Sequence, residues 1–264
     1  MRQKQLEEYK SWFAEYVSGF YGDDEYVNAN IKLKEEHTGK VCEEMRYLAG
    51  EVGLGANDAR AAECVALFHD VGRFPQFVNY RTYNDARSES HSALALEVLR
   101  KEKWFEGLEA GEAEVIRKAI AYHGIKELPE GLDERTLLFC RLIRDADKLD
   151  IFRVVVDYYG RHAADPENFK LEVEFPNEPW YSKEVLEAAM RGEAIDYNSL
   201  RTWNDAKIMQ MGWVHDMNFA ASVRRVRERG YMEMIAGFLP DDDQIRRLRG
   251  KIAEYVDGRI GAEK

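Results

Sequence analysis

Apolar residues recur at helical spacing along almost the whole chain, and this periodicity excludes most folds before any motif is considered. Runs that alternate β-branched or aromatic residues with polar ones are scarce, and only 6 prolines interrupt the 264 residues. An amphipathic helix cannot bury its apolar stripe alone, so such helices must pack on one another. The expected fold class is all-α. Helices are predicted at residues 3–18, 31–52, 57–69, 90–101, 111–123, 133–159, 182–191, 204–229 and 241–257. Asn57 is read as the N-cap of the third helix, with Gly72 and Pro75 as its stop. The stretch FPQFVNYRTYNDARS that follows reads as an irregular aromatic and polar loop.

The segment ADPENFKLEVEFPNEPWYS holds three of the six prolines and is the best boundary candidate, suited to a short hairpin or an extended loop. It separates residues 1–165 from a C-terminal helical extension, 166–264, expected to pack on the first part. That extension completes the helical domain, caps a site or makes a homo-oligomer contact. No internal repeat or low-complexity tract is present.

Charge and composition narrow the partners. The formal charge is −11, with acidic residues spread along the whole length. Such a surface repels a polyphosphate backbone, so no polymeric nucleic acid is expected. A small anion could still be captured where positive charge is local. The opening MRQKQLEEYKSWF has no apolar stretch of a signal peptide, and no segment approaches the ~20 apolar residues that span a bilayer, so no membrane association is expected. Cys42, Cys64 and Cys140 are odd in number and far apart; they read as small buried hydrophobes in a reducing, cytoplasmic setting.

The informative residues are titratable groups on apolar faces. His37 shares a stripe with Leu33, Val41, Leu48 and Val52. His69 follows Ala62, Val65 and Ala66; His91 precedes Leu94, Ala95, Val98 and Leu99; His123 follows Ile116, Ala119 and Ile120. Asp147 lies with Cys140, Ile143, Ile151 and Val154. One such histidine is usually a satisfied core residue. Four of them and an aspartate, on five helices, call for a common partner, because burying a titratable group is costly unless it is paired or binds a metal.

His37, His69-Asp70, His91, His123 and Asp147, at successive intervals of 32, 22, 32 and 24 residues, resemble the ordered ligand set of the HD superfamily. The local wording is similar too: LFHDVGRFPQF around the pair, SHSALALEVL, AIAYHG and LIRDADKLD. The resemblance covers residues 37–151, somewhat under half of the chain. It implies an HD-domain helical bundle with additional C-terminal helices. It further implies that His37, His69, Asp70 and Asp147 hold one metal, that His91 and His123 hold a second, and that Asp70 bridges the two. A single-metal site with His91 and His123 facing the substrate is the alternative.

The chemistry agrees with that assignment. Neutral imidazoles suit Mn, Fe, Co, Ni or Zn, whereas Mg and Ca prefer oxygen ligands. Two divalent ions against two carboxylates leave a local positive charge, an anion receptor inside an acidic protein. A water acidified between the ions could attack phosphorus in line. The implied activity is hydrolysis of a phosphate monoester or diester in a nucleotide or other small phosphorylated substrate, with Asp70 and Arg73 as catalytic residues. Two rivals remain open: a mixed-valent di-iron oxygenase of the same superfamily, and a regulatory binding module without catalysis. The Gly-Tyr-Pro element of cyclic-di-GMP phosphodiesterases is absent, since Gly230-Tyr231 leads into Met232.

Three cations are substrate-contact candidates. Arg73 stands where relatives carry HDxGK or HDxGR, and its fork suits a phosphate oxygen; the alternative is a surface arginine at a helix C-terminus. Lys148 beside Asp147 either meets substrate or pairs with Asp145 or Asp150. Arg81 lies in the 74–90 segment with Gln76, Tyr80, Thr82, Tyr83 and Asp85, which lines a pocket mouth or is simply packed. His215-Asp216 repeats the dipeptide without partner histidines and reads as helix packing. His162 reads as a surface residue, and ASVRRVRERG as a solvated helix face.

Overall fold

Helix starts are set by side chains that accept the unpaired N–H groups of a first turn. The computed structural model of the protein describes residues 1–167 and 175–262, and it divides into two units, Met1–Asp150 and Ile151–Lys264. Among the described residues there is no strand, so the architecture is all-α.

In the first unit, α1 (Gln3–Ser18) buries Leu6, Tyr9, Phe13 and Val17, one face of a 3.6-residue repeat. Full burial of each such side chain stabilises by about 1.5–3 kcal/mol. Helix α2 (Glu25–Glu51) begins six residues before the predicted Ile31, because the Asp24 carboxylate accepts the Val27 N–H at 3.1 Å. Helix α3 (Ala56–Phe68) is buried without a break from Ala61 to Phe68 and packs against α1, α2 and α6 (Ala110–Tyr122). A helix enclosed on all sides needs small and apolar residues all round, as Ala61, Ala62, Val65 and Ala66 supply. Its N-cap is Gly55 rather than the expected Asn57, whose carboxamide lies within the first turn and accepts from Arg60.

The largest correction concerns the predicted loop. Arg73–Tyr80 is a helix, α4, and Asp85–Arg87 a single 3-10 turn. Pro75 is the third residue of α4, where its missing N–H has no intrahelical acceptor to lose, so it does not stop the helix. Helix α5 (His91–Lys101) follows, capped by Ser90 Oγ accepting from the Ala93 N–H, and packs on α4 and α6. Helix α7 (Glu134–Ala164) opens where Asp133 accepts both the Thr136 N–H and its hydroxyl.

The second unit contains the end of α7 and helices α8 (Lys183–Arg191), α9 (Trp203–Gly212), α10 (Ala220–Glu228), α11 (Tyr231–Ala236) and α12 (Asp243–Gly261). The single helix expected at 204–229 is broken: a 3-10 turn spans Trp213–Asp216, and Met217 and Phe219 are extended. Gly212 and Asn218 are weak helix formers, and the turn buries Val214 and Met217. His215 packs its ring on Tyr255 at 4.1 Å, the packing role expected of it. His162, expected at the surface, is half-buried on α7 with its ring edge-on to Trp203 at 4.8 Å, because α7 continues past Tyr159. The middle of the expected hairpin or loop, residues 168–174, lies outside the described residues. The three cysteines are buried free thiols, and no described helix is long and apolar enough to cross a membrane.

Candidate metal centre

Helices α3 and α6 each end on a histidine, and both rings use the same local device. The last-turn carbonyls of a helix have no intrahelical donor. His69 Nδ1 donates to the Ala66 carbonyl, and His123 Nδ1 to the Ile120 carbonyl, each at 2.7 Å. The other two rings are held by carboxylates. His37, in the middle of α2, donates from Nδ1 to Asp150 at 2.7 Å; His91, first residue of α5, donates from Nδ1 to Asp85 at 2.6 Å. Carbonyls and carboxylates only accept, so every Nδ1 carries the proton and every neutral ring turns the Nε2 lone pair inward.

The four Nε2 atoms surround Asp70. Its Oδ2 is 3.7 Å from His37 Nε2 and 3.6 Å from His69 Nε2. Its Oδ1 is 3.8 Å from His91 Nε2 and 3.7 Å from His123 Nε2. Each carboxylate oxygen thus serves one pair of rings. Asp147 Oδ1 joins the first pair, 3.1 Å from His37 Nε2 and 3.8 Å from His69 Nε2. Three overlapping groups have ligand atoms within 4.8 Å of one another: His37, His69 and Asp70; His69, His123 and Asp147; and Asp70, His91 and His123. All six residues singled out in the sequence therefore converge.

The cluster fits divalent metal on three counts. His37 Nε2 and His69 Nε2 are buried with no hydrogen-bond partner, an arrangement that is costly unless something fills the gap. His91 Nε2 and His123 Nε2 face each other at 2.9 Å, where two lone pairs repel unless a cation lies between them. That spacing is close to the ~3.0 Å expected for two nitrogens each ~2.1 Å from one ion and set at right angles. Finally, the carboxylates Asp70, Asp85, Asp147 and Asp150 outnumber the cations Lys34 and Arg73, so the cluster attracts positive charge.

Proton affinities follow from the same contacts. Burial, helped by the neighbouring His123 and His37 and opposed by Asp70 and Asp147, pushes His69 down to about 4, so the ring is neutral at physiological pH. Burial also opposes the Asp70 carboxylate, but Lys34, His69 and Arg73 outweigh it and hold the group well below the usual carboxylate range. Asp147 is lowered by His37 against the same opposition. His37 is raised despite burial and Lys34, because the carboxylates of Asp147 and Asp150 lie against its ring. His91 is lowered chiefly by burial.

Two cations border the cluster. Lys34 Nζ lies 2.9 Å from Asp70 Oδ2 and 5.2 Å from the Tyr83 ring centre. Sequence reasoning missed it, although it sits one turn before His37 on the same helix face. Arg73 places Nε 3.4 Å from Asp70 Oδ1, while Nη1 donates to Gln76, to the Tyr83 carbonyl and to Asp85. Nη1 therefore ties the guanidinium to the 81–89 segment, whereas Nε, although close to Asp70, is buried without a hydrogen-bond partner. Lys34 and Arg73 side chains are 17% and 16% exposed and Asp147 is 18% exposed, against 0% for His69, so the accessible side of the cluster is theirs. Arg81 is elsewhere, ending α4 with φ 56° and bonded to Asp24 at 2.7 Å. Lys148 is half-buried on α7 beside Asp147. Asp85 and Asp150 stand in segments singled out in the sequence, but their role as the carboxylates that hold the His91 and His37 rings is not legible there.

Gly72 explains the approach of the His69-Asp70 turn to α5. A Cβ there would lie 2.1 Å from the His91 carbonyl oxygen and 2.5 Å from the Ala95 nitrogen, so only glycine lets the two backbones touch. A family model described as HD domain matches residues 35–151, the segment that contains all six ligand candidates. No curated protein and no solved structure gives a significant match to the chain.

Proposed function

From the premise that residues 35–151 are an HD domain and make this chain a member of that superfamily, we propose that the protein is a metal-dependent phosphohydrolase acting on a nucleotide or another small phosphate mono- or diester. The observation that carries the reading is the division of labour at Asp70, whose two oxygens each face a separate histidine pair. His37, His69, Asp70 and Asp147 would hold one ion; His91, His123 and the other Asp70 oxygen would hold a second. Mn, Fe, Co, Ni or Zn suits this donor set. Such ions supply Lewis acidity, which acidifies water and neutralises charge on a phosphoryl group.

The chain's own residues prepare that chemistry. Asp150 and Asp85 fix the His37 and His91 rings with Nε2 directed inward, so no reorientation is needed when substrate arrives. Asp70 and Asp147 stay ionised throughout the physiological range. Lys34 and Arg73, on the accessible side, offer the positive charge a phosphate needs in an otherwise acidic protein.

The test is a panel of nucleotides and phosphate esters offered to protein loaded with Mn, Co, Ni, Fe or Mg. Phosphate release from at least one, falling by several orders of magnitude in Asp70→Ala, supports the reading. Oxygen uptake by a di-iron form without phosphate release from any ester would replace it with the oxygenase.

A further inference from the structure

The second unit holds a cleft of about 520 Å³, within the ~300–1,000 Å³ range of small-molecule sites. Trp203, Tyr159 and Phe238 contribute aromatic surface, and Asn204, Glu178 and Lys207 contribute polar groups. Lys207 is the unusual member. The residue is 6% exposed, yet its charge has no ionic partner among the described residues. Nζ donates to the Phe238 carbonyl at 2.8 Å and to Asn204 Oδ1 at 3.1 Å, and it lies 5.2 Å from the Tyr159 ring centre. An ammonium has three N–H groups, so among the described residues the two neutral acceptors leave its charge uncompensated and one donor in hand.

That arrangement is costly as it stands. A buried cation without a carboxylate keeps its desolvation penalty, and burial pushes Lys207 down to about 8. The Asn204 carboxamide cannot respond, because Nδ2 donates to the carbonyls of Glu178 and Trp180 while Oδ1 accepts from Lys207. Glu178 is exposed on the cleft wall and makes no ion pair with Lys207. A ligand that relieves the penalty must carry negative charge, and one that covers the aromatic walls must carry a flat apolar surface.

We infer that this cleft is a ligand site, separate from the metal cluster, for a small planar anion: an aromatic ring bearing a carboxylate or a phosphate, with its charge at Lys207 Nζ and its ring against Trp203 and Tyr159. The site depends on nothing in the first unit.

Two matched probe pairs test it on the full-length protein: 2-naphthoate against 2-naphthamide, and AMP against adenosine. Binding is read by titration and located by hydrogen exchange in α9 and in residues 231–240. At least one anion should protect these segments and bind at least tenfold tighter than its neutral counterpart, and Lys207→Met should abolish that preference. The naphthoate and AMP arms tell a carboxylate site from a phosphate site. AMP held by the metal cluster would protect the first unit instead. The inference is overturned if neither anion protects α9, if each neutral analogue binds as tightly, or if the preference survives in Lys207→Met. Should Lys207→Met not fold, the wild-type exchange and the anion-to-neutral ratio decide alone.

Discussion

Replacing Gly72 by alanine should do more damage than any other single-methyl change in the first unit. The new Cβ would fall 2.1 Å from the His91 carbonyl oxygen, 2.5 Å from the Ala95 nitrogen and 2.9 Å from Leu94 Cβ. Ordinary contact begins near 3.4 Å, so α4 and α5 must part by about 1.3 Å. None of the three neighbours is the flexible end of a side chain, so the backbone itself must move. Overpacking of this kind costs about 1–3 kcal/mol, and this case belongs at the upper end. A loss of about 3 kcal/mol corresponds to a fall in Tm of roughly 6–12 °C for a chain of this size. The displacement also carries His91 away from Asp70, and metal ligands tolerate only ~0.2 Å. The assay is urea unfolding of metal-free protein together with metal titration of the same variant. Gly39→Ala provides the control: Gly39 lies in α2 with nothing within 4 Å of a built Cβ, and alanine there should stabilise by about 0.4–1 kcal/mol. If Gly72→Ala unfolds within 0.5 kcal/mol of wild type and binds metal unchanged, the close-approach argument is wrong.

Asp85→Asn should weaken metal binding at the His91 and His123 side about 10–100-fold, because the His91 ring loses the acceptor that fixes it; equal calorimetric titrations of variant and wild type would contradict this. Metal-free protein should gain stability as pH rises from 4.5 to 6.5. His69, held at about 4 in the fold, stays neutral there while the unfolded chain still takes up protons, so its share is about 2 kcal/mol across that interval and is lost as pH falls. His37 has the opposite sign: its raised affinity stabilises below the unfolded value near 6.5 and is lost as pH rises through the folded value. Urea midpoints of wild type and His69→Gln at both pH values test this, and an undiminished gain in the variant would refute it.

The six clustered residues are legible because a titratable group on an apolar helix face conflicts with its surroundings, and the conflict repeats on several helices. His37 beside Val41 and Leu48 carries that signal; Lys34, one turn earlier, does not, since a lysine on a half-buried face is ordinary. Asp85 and Asp150 were hidden for a related reason. Their partners are rings brought close only by folding, 6 residues away for His91 and 113 for His37. The 73–80 helix is hidden in the sequence because Pro75 reads as a stop, whereas its place in the first turn leaves the helix intact. In the sequence Gly72 signals helix termination alone. Its requirement comes from the α5 backbone, a neighbour that no local pattern reveals. In the second unit the break after Gly212 depends on burying Val214 and Met217, a tertiary effect that overrides helical periodicity.

The central claim is that Asp70 is shared between two ions. Elemental analysis of Mn-loaded protein, read with electron paramagnetic resonance, tests it most directly. The account predicts two Mn per chain with the spectrum of an interacting pair, and loss of that pair in Asp70→Ala. One ion per chain, or two that give independent signals, would contradict it.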